Sequence, residues 1–91
     1  MPEFLVELYV SQADDDAVAR DADDALAASV ELTREGTPVR YLRSIFVPED
    51  ETCFLLYEAG SVDAVREAAR RAGLTFERIT AATVQSKGET R

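Results

Sequence analysis

Two carboxylates, a guanidinium and two phenols fall within short runs of alternating hydrophobicity. Glu7 and Tyr9 lie in Glu3 to Val10, Tyr41 and Arg43 in Val39 to Val47, and Glu58 in Thr52 to Ala59. Carboxylates exchange protons or hold cations, a guanidinium grips a carboxylate or a developing anion, and phenols donate hydrogen bonds. Gathered on one surface, Glu7, Tyr9, Tyr41, Arg43 and Glu58 could orient a small ligand. Alternatively, Arg43 bridges Glu7 and Glu58 and merely sets the register of an interface. Cys53 adds one thiol, which between apolar neighbours reads as a small buried hydrophobe rather than a nucleophile. The chain has no histidine, which removes Ser–His and Cys–His catalysis and every imidazole metal ligand. It also lacks a glycine-rich phosphate loop and a CxxC pair, and Asp14-Asp15-Asp16 lacks the glycine and distal glutamate of a calcium loop.

The elements that must position these groups follow from periodicity. Phe4, Val6, Leu8 and Val10 alternate along a first strand. The segment Asp14 to Glu35 is helical: Val18, Ala22, Ala25, Ser29 and Leu32 form its core stripe, Ser11 and the three aspartates can cap it, and Gly36 and Pro38 end it. Residues 39–47 and 52–59 read as a hairpin about Pro48 to Glu51. Ser61 caps a second helix with Val62, Val65, Ala69 and Ala72 inside and Gly73 at its end. A fourth strand spans 76–85, and 86–91 reads as a disordered tail.

This β-α-β-β-α-β order over residues 1–85 predicts an α+β, ferredoxin-like single domain, a four-stranded antiparallel sheet with two helices on one face. The other face is left open. Strict alternation sends Leu42, Ser44, Phe46, Cys53, Leu55, Tyr57, Ile79 and Ala81 toward the helices. It leaves Glu7, Tyr9, Val39, Tyr41, Arg43, Ile45, Val47, Phe54, Leu56, Glu58, Phe76, Arg78 and Val84 on the open face. An apolar patch of that extent predicts a homodimer, sheet against sheet. Strand three is the element most sensitive to a one-residue slip, which exchanges Cys53 and Glu58 between faces.

Composition bounds the function. Ninety-one residues bury only about 60–65% of the unfolded surface, so oligomerisation is a useful support. The net charge of −8 arises entirely in residues 1–35, which carry ten acidic and two basic side chains. Such a surface repels phosphate backbones, so no nucleic-acid partner is expected. No run is long and apolar enough to span a membrane. A lone cysteine without a leader segment leads to an expected cytoplasmic location.

Four segments then carry a resemblance: Phe4-Leu5-Val6-Glu7, Val39-Arg40-Tyr41-Leu42-Arg43-Ser44, Cys53-Phe54-Leu55-Leu56-Tyr57-Glu58-Ala59 and Arg66-Glu67-Ala68-Ala69-Arg70-Arg71-Ala72-Gly73. Over residues 3–84 the chain resembles a family of small, mainly actinobacterial proteins, once a domain of unknown function, that includes a nickel-responsive, nickel-binding member. The resemblance implies a dimeric ferredoxin-like fold with a capacity for metal. Where such sequences read Leu-His-Ser and Arg-Glu-His-Ala, this one has Arg43 and Ala68 in place of the histidines. Glu7, Cys53 and Glu58 remain as metal ligands at matching positions. Nickel favours imidazole and thiolate, so Arg43 is expected to stand as a fixed cation where the family could place a metal. The expected function is a small non-enzymatic binding protein that requires no cofactor, its nickel binding weakened or lost. Two other readings stand beside it. One is a cofactor-independent isomerase, cyclase or monooxygenase with an organic ligand in a sheet–helix or inter-subunit cavity. The other is a protein-interaction module using the acidic helix.

Overall fold

Apolar residues recurring every second position make strands, and those recurring every third and fourth make helices. The computed structural model describes residues 1–85. Along it run β1 (Glu3–Tyr9), α1 (Asp15–Arg34), β2 (Val39–Val47), a short 3-10 turn (Pro48–Asp50), β3 (Thr52–Ala59), α2 (Val62–Arg71) and β4 (Phe76–Ala82). The tail expected at 86–91 lies outside the described residues. The strands form one antiparallel sheet in the order β2-β3-β1-β4, the ferredoxin-like α+β arrangement. Both helices pack on the face that presents Val6, Leu55 and Tyr57. No helix among the described residues is long and apolar enough to cross a membrane.

Both helices stop as their glycines require. At the end of α1, Gly36 has φ +109°; its N–H donates to Thr33 O and that of Thr37 to Leu32 O. Gly73, with φ +75°, repeats the pattern after α2, donating to Arg70 O while Leu74 N–H donates to Ala69 O. These are paired Schellman bonds, and left-handed backbone at that position favours glycine. The helix starts differ. Ser61 Oγ accepts from Ala64 N at 3.2 Å, capping α2. Ahead of α1, Asp14 makes no side-chain cap bond, and Ser11 Oγ serves the preceding turn by accepting from Ala13 N.

Two bulges decide what faces what. In β2, Tyr41 pairs with Tyr57 but Arg43 pairs with Leu56, so Leu42 is an extra residue. In β4, Arg78 pairs with Glu7 and Phe76 with Leu8, so Glu77 is extra. Each extra residue shifts side-chain parity by one. Val39, Tyr41 and Phe76, expected on the open face, therefore stand on the helix side, Val39 almost wholly buried and the other two packed against the core. Strand three keeps its expected phase: Cys53, Leu55 and Tyr57 are fully buried beneath the helices, while Phe54, Leu56 and Glu58 occupy the other face. The core stripe of α1 is Ala25, Ser29 and Leu32, flanked by Ala17 and Ala28. In α2 the buried residues are Ala64, Val65, Ala68 and Ala69; Val62, expected inside, is exposed.

Candidate functional site

The registers lay the open face out as a grid. One row across it reads Ile45, Phe54, Glu7, Arg78; the next reads Arg43, Leu56, Leu5, Thr80; a third reads Arg40, Glu58, Glu3, Ala82. Glu7 and Glu58 are thus one strand apart laterally but four residues apart along the strands, roughly 14 Å between Cα positions. Arg43 is separated from Glu7 by the whole of β3, roughly 11–12 Å away.

Each carboxylate has its own arginine. Arg78 Nε donates to Glu7 Oε1 at 3.1 Å, and Arg40 Nη1 donates to Glu58 Oε1 at 2.9 Å. The bridge expected from Arg43 does not form: Arg43 is exposed and makes no ion pair among the described residues. The physical reason is the Leu42 bulge. It brings Arg40 onto the open face opposite Glu58 and leaves Arg43 facing the apolar Leu56. A strictly alternating β2 would have pointed Arg40 into the core, where an unpaired guanidinium is costly. That conflict was the sequence signal for the bulge.

The remaining candidates are dispersed as well. Tyr9 is at the far end of β1, opposite Thr52 and largely exposed. Tyr41 is on the helix side, its ring edge-on to Tyr57 with centroids 5.8 Å apart. The Tyr41 hydroxyl and Ser44 Oγ share a hydrogen bond of 2.5 Å. Cys53 is fully buried against the helices; burial pushes its thiol pKa up, and Asp21 of α1 adds to the rise. Burial likewise raises the Tyr57 phenol, with Tyr41 contributing.

As a metal site, then, Glu7, Cys53 and Glu58 do not converge. The thiol lies on one side of the sheet and the carboxylates on the other, far apart and bonded to guanidinium groups. Among the described residues no three His, Cys, Asp or Glu side chains are grouped to hold a metal ion. The two positions that replace histidine also diverge, Arg43 on the open face and Ala68 fully buried on the inner side of α2. Within one chain, then, the described residues bring no thiolate and carboxylate together as a joint donor set.

The helix side holds a feature that strict alternation hides. Between α1 and β2 runs a crevice of about 350 Å³, walled by Leu26, Ser29, Val30 and Thr33 from the helix and Val39 and Tyr41 from the strand. Its sequence signal was a pair of apolar residues, Leu26 and Val30, one turn apart and off the core stripe. A serine within that stripe was the second sign.

This architecture has a solved counterpart. The chain is similar to SCO4226 from Streptomyces coelicolor A3(2), known from a crystal structure, with a TM-score of 0.75 over 92% of this chain and 99% of that one. Their sequences are 19% identical, so the likeness is one of fold. No curated protein matches the chain. The family described as "Nickel responsive protein SCO4226-like" matches residues 4–81, and this chain belongs to that family.

Proposed function

We propose that this chain is a non-enzymatic, cytoplasmic homodimer within its nickel-responsive family, requiring no cofactor and having lost micromolar affinity for nickel. One observation carries the reading: both open-face carboxylates, Glu7 and Glu58, are engaged by arginines and stand apart from each other and from Cys53. The neutralising cation is thus part of the protein, supplied by Arg78 and Arg40 rather than by Arg43. The enzymatic alternative would need Glu58 as a general base in a sheet–helix cavity. Glu58 instead projects from the opposite face and is held by Arg40, which supports the binding-protein reading.

Calorimetric titration with nickel tests it. Wild type and Arg43→His are expected to bind alike, with no micromolar affinity, because Arg43 faces the apolar Leu56 and its diagonal neighbour Glu58 is already held by Arg40. Micromolar binding by wild type that disappears in Glu7→Gln or Glu58→Gln would overturn the proposal.

A further inference from the structure

We infer that the crevice between α1 and β2 is a binding site for a small, uncharged molecule, two fused rings in size, carrying a single hydrogen-bonding group. The site exists because of the bulge at Leu42, which turns Tyr41 and Val39 toward α1 and so supplies its second wall. A cavity of about 150 Å³ holds benzene; a crevice of about 350 Å³ has room for a bicyclic ring system. At its rim, Leu26 and Val30 are 51% and 48% exposed, apolar surface that a flat ring would remove from water.

The polar groups of the wall select the ligand. Thr33 Oγ1 is committed in both directions, donating to Val39 O at 2.8 Å and accepting from Val39 N at 3.0 Å. The Tyr41 hydroxyl is taken by Ser44. Ser29 remains: it is 1% exposed and its Oγ has no partner among the described residues. An unsatisfied buried hydroxyl costs about 1–3 kcal/mol, and a staggered step about χ1 re-aims it without moving the backbone. A ligand hydroxyl or carbonyl would give it a partner.

Charge is disfavoured in either sign. The wall contains no carboxylate to compensate a cation. Its one cationic residue, Arg40, is already bound to Glu58, and a chain of net charge −8 repels anions. The inference is independent of nickel loss and of dimerisation, since the crevice lies on the helix side of the sheet.

The test is a titration of the full chain with 2-naphthol, neutral at pH 7 and of the required size, followed by amide NMR. Saturable shifts are expected at Leu26, Ser29, Val30, Val39 and Tyr41. Val30→Trp, which fills the rim from a half-exposed position, should weaken binding by about tenfold or more, with the rest of the spectrum unchanged. Ser29→Ala should weaken it by about two- to tenfold, the worth of one hydrogen bond, and unsubstituted naphthalene should not distinguish wild type from Ser29→Ala. Three outcomes would each overturn the inference: no saturable shifts, shifts centred on Ile45 and Phe54 of the open face, or wild-type affinity in Val30→Trp.

Discussion

Arg71 holds three carboxylates at once. Its guanidinium donates to Glu31 of α1 at 3.0 Å, to Glu35 at the C-cap of α1 at 2.8 Å, and to Glu67 on its own helix at 2.9 Å; Arg70 adds two further bonds to Glu67. The hydrogen bonds from Arg70, then from Arg71, lower the Glu67 pKa to about 2. Arg71 likewise lowers that of Glu35. A carboxylate depressed in the folded state stabilises it fully above the unfolded pKa, about 4.3, and the contribution fades as pH falls through the folded value. The clamp between the helices should therefore weaken between about pH 4.5 and 2. Carboxyl NMR is expected to show Glu67 titrating near 2 and both Glu35 and Glu67 moving upward in Arg71→Gln; an ordinary midpoint for Glu67 in the wild type would refute the account. Cys53 makes the opposite case, a group silenced by burial. A thiol reagent should label it only as fast as the native protein opens, the rate rising with urea below the unfolding transition. Labelling at the pace of a free thiol in native buffer would contradict that burial.

At the scale of elements, the glycines and the bulges show what can be read from a chain and what cannot. Gly36 and Gly73 were legible because a helix stop has a local cause, left-handed backbone one residue past the cap. Alanine at either site should cost about 1–2 kcal/mol in urea denaturation. Gly60→Ala is the control, since Gly60 has open space around its Cα and no left-handed backbone; it should stay within about 0.5 kcal/mol of wild type. Equal losses at all three positions would mean that the left-handed conformation is not what Gly36 and Gly73 supply. The order of strands and helices was legible for the same reason, since periods of two and of three-to-four are properties of short windows. The candidate site was not. Whether Arg40 or Arg43 meets Glu58 depends on one extra residue in β2, and whether Arg78 meets Glu7 depends on register against a strand some seventy positions away. Of the five expected ligand-binding residues, Glu7, Tyr9, Arg43 and Glu58 lie on the face where alternation puts them but without the expected mutual contacts. Tyr41 crossed the sheet through the Leu42 bulge.

For the molecule as a whole, the open face sets the last expectation. Leu5, Ile45, Val47, Phe54 and Leu56 form its apolar middle, with the Glu7–Arg78 and Arg40–Glu58 pairs on either side. Leu56 is already 5% exposed within one chain, whereas Ile45 is 49% exposed, so of these five Ile45 has the most to gain from a second copy. A two-fold contact would bury it in both copies at once, and one substitution acts twice. Ile45→Lys changes a half-exposed position, and a lone chain should tolerate it within about 0.5 kcal/mol. In a face-to-face dimer it forces two ammonium groups into the apolar middle. Sedimentation equilibrium is expected to give wild type twice the 10.0 kDa chain mass and Ile45→Lys the single mass with an unchanged circular dichroism spectrum. Val62→Lys, on the outward side of α2, should remain dimeric. Salt supplies an independent check. The arginine–carboxylate pairs close within each chain, so association joins two bodies that each carry a net charge of −8. Screening relieves that repulsion and leaves apolar contact intact, so the dimer should tighten as salt is raised. Loosening with salt would point to ion pairs between chains. A monomeric wild type at every salt concentration would leave the open face facing water and end the dimer proposal.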